Sequence, residues 1–441
     1  MIPQVPIVIL RFFILLSSPT MLILNQVKHK FSNRFIRNVG WLGIAEILNR
    51  IFGLGTTVLL SRALSFEDYG LLAIVLTVQE FGTIFTAKAG LGAKLVQASE
   101  EDVDTLCETV YWMSCATSVA MFILQCLIAF PIAWFYHSSR VIAPLCLLAI
   151  TYLGISFMAV PSALLERAGR LNVFAICQVG RSFLANALTV LFIFLGWGLW
   201  AVILATALSI LPWVIIPGMF KPWKPKTFLQ FDRWRETATY AGNIIGVELL
   251  AKLRDNLDYL LVGRFLGIEA LGVYYFAFNA GLGISLSVMN TLITSLWSHL
   301  CEARSNLTML KKHYRTGLKT IASTLIPVVI LQVCLAPWYV PIIFGEHRRV
   351  AIPVLMLICL SAIPRPFFLA ASQLLNALDK TKVNLFWSIL FTTVYGIALF
   401  IGVQFGVLPV ALAVLISQVL ITPLFVFWVR QQVFKPATIP D

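Results

Sequence analysis

From Ala322 to Phe344 the chain reads ASTLIPVVILQVCLAPWYVPIIF, and from Val119 to Phe135 it reads VAMFILQCLIAFPIAWF, with no charged side chain in either run. A helix needs about 20 apolar residues to cross the hydrocarbon of a bilayer, and these runs approach or meet that length. The apolar positions are continuous, whereas a membrane β-barrel strand would alternate them with polar ones. In hydrocarbon every backbone amide must find its partner within the protein, which a helix achieves segment by segment. The expected fold class is therefore all-α and polytopic.

The whole chain bears this out in composition. Of its 441 residues 59% are hydrophobic and 12% charged, and the mean hydropathy is +0.88. A soluble domain is about half apolar and a quarter charged. The eight cysteines are scattered singly, mostly inside apolar runs, and the five histidines lack metal-ligand spacing, so no disulfide framework, metal site or cofactor is expected.

Spans are expected near 38–64, 69–97, 108–136, 141–166, 171–195, 197–219, 237–264, 270–298, 317–345, 350–376, 382–404 and 408–430. The net charge of +13 is distributed by loop. Lys28 to Arg37, Arg167, Arg170, Lys221 to Arg235, Arg304 to Lys319, Lys380, Lys382, Arg430 and Lys435 all fall at the termini or after even-numbered spans. The opposite loops carry Arg62, Arg140, Arg264, Arg348 and Arg349. Basic loops stay cytoplasmic, so both termini are expected there, with twelve spans between them. This placement accounts for the positive charge without a nucleic-acid partner.

An internal repeat organises these spans. Arg62-Ala-Leu-Ser-Phe-Glu67-Asp-Tyr-Gly70-Leu is matched 202 positions on by Arg264-Phe-Leu-Gly-Ile-Glu269-Ala-Leu-Gly272-Val. The same offset sets Glu46 against Glu248 and Arg50 against Lys252. A second match pairs Ser162-Ala-Leu-Leu165 and Asn172 with Ser372-Gln-Leu-Leu375 and Asn384, at an offset eight to ten residues longer. Two parallel six-helix halves follow. The expected division is a membrane-surface segment at 1–37, an N-lobe at 38–220, a basic linker at 221–236, a C-lobe at 237–432 and a tail at 433–441. The first twenty residues could also lie upstream of a true start at Met21.

Ionisable side chains at mid-membrane are costly and so mark cavities or partners. Glu46 and Arg50 are one turn apart in the first span, and Glu248 and Lys252 repeat that spacing in the seventh, which adds Arg254, Asp255 and Asp258. Glu80 and Arg181 also fall near mid-membrane. These groups either form self-neutralising i,i+4 ion pairs at the seam between halves or line a central hydrophilic cavity. In the second case Arg50, Arg181, Lys252, Arg254 and Arg365 receive an anionic head, and Glu46, Glu80, Glu248, Asp255 and Asp258 bind a coupling ion or hold the cations. Pro364-Arg365-Pro366 must break the tenth helix, because proline lacks the amide donor and clashes with the preceding turn. Lys88 and Lys94 can snorkel to the interface.

Gly53-Leu-Gly55, Gly90-Leu-Gly92 and Gly281-Leu-Gly283 follow no strand, and no Walker A sequence exists. Asp102-Val-Asp104 has the spacing of a metal-binding acidic pair but lies in a short acidic loop. No nucleophile and base are arranged for chemistry. A transporter rather than an enzyme is expected, with no catalytic residues.

The segments Asn38-Val-Gly40-Trp41, Leu59-Leu-Ser-Arg62-Ala-Leu, Glu67-Asp-Tyr69-Gly70, Leu266-Gly267-Ile-Glu269-Ala-Leu-Gly272-Val-Tyr-Tyr275, Pro161-Ser-Ala-Leu-Leu165 and Gly196-Trp-Gly198-Leu-Trp200-Ala201 resemble the polysaccharide and O-antigen flippases, Wzx-like members of the multidrug/oligosaccharidyl-lipid/polysaccharide superfamily. The resemblance spans nearly the whole chain from about residue 35. It implies two six-helix lobes in a V around a central cavity. It further implies an undecaprenyl-linked oligosaccharide as cargo, moved across the inner membrane by alternating access alongside membrane lipids and, downstream, a polymerase and chain-length machinery. Two other functions compete: a multidrug or cation-coupled antiporter of the same superfamily, and an integral-membrane polymerase or ligase.

Overall fold

The computed structural model describes residues 49, 52–53, 55–86, 95–96, 100–225 and 234–434. Within them the regular structure is helical throughout. The helices are α1 (described over 55–63), α2 (Phe66–Ile84), α3 (Val103–Phe135), α4 (Ile142–Arg167), α5 (Leu171–Phe194), α6a and α6b (Leu199–Leu208, Leu211–Phe220), α7 (Trp234–Phe265) and α8 (Ile268–Glu302). The chain continues with α9 (Leu307–Tyr339), α10a and α10b (Ile352–Ser361, Arg365–Ala377), α11 (Thr381–Gly402) and α12 (Val407–Phe434).

Local chemistry sets these boundaries. Ser65 caps α2 by accepting from the Asp68 amide while Asp68 accepts from the Ser65 amide, a reciprocal capping box. Asn306 caps α9 by accepting from the Thr308 and Met309 amides through its side-chain oxygen. The tenth helix breaks at Ala362 to Pro364, as Pro364-Arg365-Pro366 requires, and restarts at Arg365.

Eight described segments are long and apolar enough to cross a membrane. α2, α7 and α8 are not among them; α7 alone holds Glu248, Lys252, Arg254, Asp255 and Asp258. Large apolar side chains such as Leu127, Phe130, Phe386 and Phe427 stand exposed on the outside, as lipid contact demands. Trp134, Phe194, Trp338 and Phe405 are exposed where α3, α5, α9 and α11 end.

The largest apolar core lies at the seam between halves. Leu71, Leu72 and Val75 of α2 are buried in one cluster with Leu271, Tyr274 and Phe276 of α8. The two helices touch backbone to backbone, because a Cβ on Gly70 would overlap the Ile268 carbonyl and a Cβ on Gly272 would overlap the Phe66 carbonyl. These four residues are paired by the offset of 202 positions seen in the sequence, so the crossing is reciprocal.

The same symmetry governs the end of the seam. Arg62 Nη2 donates to the Ile342 carbonyl at 3.0 Å, and Arg264 Nη1 donates to the Phe135 carbonyl at 3.0 Å. Each arginine thus reaches the end of the third helix of the opposite half. Arg348, fully buried, donates through Nε and Nη2 to the Ser61 carbonyl at 3.0 and 2.8 Å and bonds the Leu64 carbonyl. Its guanidinium lies over the rings of Phe66, Tyr69 and Phe276 at 4.3 to 5.0 Å. Arg140 binds Glu67 at 2.7 Å and Asp68 at 3.2 Å. Three of the five arginines of the sparsely charged loops, Arg62, Arg264 and Arg348, therefore form a clasp across this end, and Arg140 ties the start of α4 to α2 beside it.

Candidate functional site

Away from the clasp, the charges of α7 meet partners on other helices. At 1.5 Å per residue Asp258 lies about 9 Å and Lys252 about 18 Å from Arg264 along α7. Two features arise there.

The first is an ion pair across the seam. Lys252 Nζ lies 2.7 Å from Glu80 Oε2, and both side chains are partly exposed. Their register is set one turn closer to the clasp by Thr77, whose hydroxyl donates to Asn256 Oδ1 at 3.4 Å. An i,i+4 pair with Glu248 was one of two arrangements open for Lys252; α2 instead crosses α7 and brings Glu80 to the ammonium. Glu248 stands at an exposed position on α7.

The second is a cavity of about 60 Å³ inside the C-terminal half, lined by Arg254, Asp255 and Asp258 of α7, Tyr274 of α8, Ser361 and Arg365 at the α10 break, Tyr395 of α11, and Gln418 and Thr422 of α12. Arg365 Nη2 donates to Asp255 Oδ1 at 3.5 Å, and Arg254 Nε stands 3.7 Å from the same oxygen. Asp258 is buried; it accepts from the Tyr274 hydroxyl at 2.8 Å and from the Tyr259 amide at 2.9 Å. Two guanidiniums converge on one half-exposed carboxylate. Each carries five donors, more than Asp255 can accept, so further donors are available to an anionic oxygen.

The N-terminal half has a neutral network among α2, α3 and α4. Gln125 donates to Gln79 at 3.0 Å and to the Leu145 carbonyl at 2.8 Å, Gln79 donates to Thr151 at 2.7 Å, and the Tyr152 hydroxyl donates to Gln125 at 2.5 Å. Gly82 leaves room for that hydroxyl. Gln332 of α9 repeats the motif by bonding the Gly281 carbonyl and accepting from Ser285 at 2.9 Å. Neutral groups with their hydrogen bonds made are well suited to a packed interior. Among the described residues, Arg254, Asp255, Asp258 and Arg365 cluster in the C-terminal half, and Glu80 is the N-terminal half's carboxylate at the seam.

Of the residues expected from sequence, the structure brings together Arg254, Asp255, Asp258 and Arg365 in the cavity, and Glu80 with Lys252 at the seam. Arg181 sits at an exposed position on α5 and is not among the lining residues, because α5 packs chiefly on α6a and α6b. Glu46 and Arg50 lie outside the described residues, as do Lys88 and Lys94. Tyr274, Tyr395, Gln418 and Thr422 escaped the sequence reading. Gln418 and Thr422, one turn apart in an apolar helix, carried the available signal.

Residues 59–353 match the family described as polysaccharide biosynthesis protein. Among curated relatives, the teichuronic acid biosynthesis protein TuaB of Bacillus subtilis is 24% identical over 72% of this chain and 66% of its own length. The amylovoran biosynthesis protein AmsL of Erwinia amylovora is 27% identical over 71% of this chain and 82% of its own. The succinoglycan biosynthesis transport protein ExoT of Rhizobium meliloti is 26% identical over 74% and 65%. The chain thus spans just under two thirds of the length of TuaB and ExoT. Among solved structures, an inward-facing multidrug resistance MATE family transporter of the MOP superfamily superposes with a TM-score of 0.74 at 16% identity, covering 90% of this chain and 98% of that one. The inward closed form of the lipid II flippase MurJ gives 0.73 at 16% identity, covering 88% and 87%. The V-shaped bundle of helices is the fold shared with these transporters.

Proposed function

The chain belongs to the polysaccharide biosynthesis protein family, and from that premise we propose that it is a flippase, not an enzyme, that moves a polyprenyl-linked oligosaccharide across the cytoplasmic membrane by alternating access. Two lobes, at 38–220 and 237–432, swing about the α2–α8 crossing, with the basic linker at 221–236 joining them. Both termini are cytoplasmic. The clasped end is then external, and the seam opens toward the cytoplasm, in keeping with the likeness to an inward-facing neighbour.

The observation that carries this reading is the charged site along α7, where Arg254 and Arg365 share Asp255 and Lys252 bridges to Glu80. A lipid-linked sugar pyrophosphate joins a hydrated, anionic head to an apolar tail. Lys252, Arg254 and Arg365 receive the head, while the tail stays in lipid at the exposed apolar faces. Asp255 holds the two guanidiniums until cargo displaces it, and Asp258 binds the coupling ion. Such a set of cations suits an anionic cargo better than the cationic drugs of an antiporter. The product feeds a polymerase and its chain-length machinery.

Deletion of the gene should accumulate complete lipid-linked repeat units on the cytoplasmic leaflet. Units that reached the external leaflet but stayed unpolymerised would overturn the flippase reading in favour of a polymerase.

A further inference from the structure

The loops that follow α3 and α9 each place one histidine in the clasp, on opposite chemical footings. His137 Nε2 lies 2.6 Å from Arg264 Nη1. A guanidinium has donors and no acceptor, so Arg264 donates and His137 Nε2 must accept, which requires a neutral imidazole with its hydrogen on Nδ1. His347 Nε2 lies 3.1 Å from the Ser61 carbonyl oxygen. A carbonyl only accepts, so His347 donates, and it can do so neutral or protonated.

We propose that His137 is a proton-binding site that couples the external proton supply to opening of the clasp. This rests on the reading above of an alternating-access transporter with its clasped end outside. A proton taken from external water adds to the Nε2 lone pair. The Arg264 hydrogen bond then has no acceptor, and two cations face each other N–H to N–H. Arg264 leaves both His137 and the Phe135 carbonyl, and the end of α7 parts from the end of α3.

The surroundings favour such a switch. His137 is exposed and reachable from water. Its backbone is held in the left-handed region, φ +53, where the Ser138 amide donates to the Ala133 carbonyl at 2.9 Å, which fixes where the side chain leaves the end of α3. The charged groups on the elements packed here are Arg264 of α7, Arg140 on the turn before α4, and Glu67 and Asp68 of α2. Both carboxylates are engaged by Arg140, which leaves a cation as the group in contact with the imidazole. In the other copy of the joint Arg62 bonds the carbonyls of Ile342 and Ile343, which do not titrate. The device is therefore one-sided.

The test is backbone hydrogen exchange, without cargo, on the full-length protein in lipid nanodiscs at about pH 7.5 and pH 5.5, either side of where histidines ordinarily titrate. Wild type, His137→Gln and His347→Gln are compared at each pH, which cancels the intrinsic pH dependence of exchange. Glutamine keeps an acceptor for Arg264 but cannot take up a proton. At the higher pH the three should match over residues 130–138 and 259–266. At the lower pH wild type and His347→Gln should exchange about tenfold faster there than His137→Gln, as local opening of the clasp requires. Should His137→Gln fail to fold, Arg264→Gln serves instead, with fast exchange at both pH values. Equal exchange of wild type and His137→Gln at low pH, loss of the acid response in His347→Gln, or its persistence in Arg264→Gln would overturn the proposal. Because no cargo is needed, a flat response leaves the flippase reading standing, and failure of the leaflet assay leaves this measurement intact.

Discussion

Gly70 of α2 and Gly272 of α8 make the same contact in opposite directions, each lying against a carbonyl of the other's helix. This close approach of the two halves is thus built from residues that correspond in the repeat, with a backbone carbonyl against each glycine.

Gly70→Ala and Gly272→Ala should each force α2 and α8 apart at a point where the obstacle is backbone. Overpacking of this kind costs about 1–3 kcal/mol, read as a lower apparent unfolding temperature in detergent. Because both changes act on one joint, the double variant should lose less than the sum of the singles. Full additivity would show that the two positions are independent.

Lys252 and Glu80 test whether the seam charges serve structure or cargo. A partly exposed ion pair is worth about 0–1 kcal/mol, so exchanging the two residues (Glu80→Lys with Lys252→Glu) should leave stability nearly unchanged. Transport should nonetheless fall at least tenfold, because the cation has moved to α2. Retention of full transport by the exchanged protein would assign the pair a structural role alone.

Asp258→Asn keeps the shape of the buried carboxyl and removes its charge. Transport should stop while the protein still folds, and Tyr274→Phe should give a partial defect with the same cargo. A hydrogen bond to a charged group is worth about 1.5–3 kcal/mol, which bounds the loss of stability expected in Tyr274→Phe. Normal transport by Asp258→Asn would remove the residue from the coupling step.

Arg348→Lys should behave as a severe change despite keeping the charge. Lysine cannot place two donors on the Ser61 carbonyl or lie flat against Phe66, Tyr69 and Phe276. A cost of about 2 kcal/mol is expected in thermal unfolding, with faster hydrogen exchange at the clasp. An unaltered protein would mean that the cation is dispensable there.

The helices were legible because a membrane imposes continuous apolar runs, and α3, α9 and α12 read plainly for that reason. The break in α10 followed from Pro364 and Pro366, and the duplication from Arg62 with Arg264 and Gly70 with Gly272. What each of these does was not legible. That Arg62 reaches Ile342 depends on how the halves cross, which no local spacing encodes. The partner of Lys252 was out of reach for the same reason: sequence offers a group four positions away, and the crossing supplied one 172 positions away. Tyr274 and Gln418 went unnoticed because a neutral polar side chain barely disturbs an apolar run.

The reciprocal clasp has a consequence for how such a chain could arise. Each half carries an arginine that seeks the end of a third helix and also a third helix whose end accepts one. Two copies of a single half, related by a twofold axis, would satisfy each other through a self-complementary face. Fusing them into one chain adds no new joint, yet it frees the copies to diverge, so that one arginine meets a histidine and a carbonyl while the other meets two carbonyls.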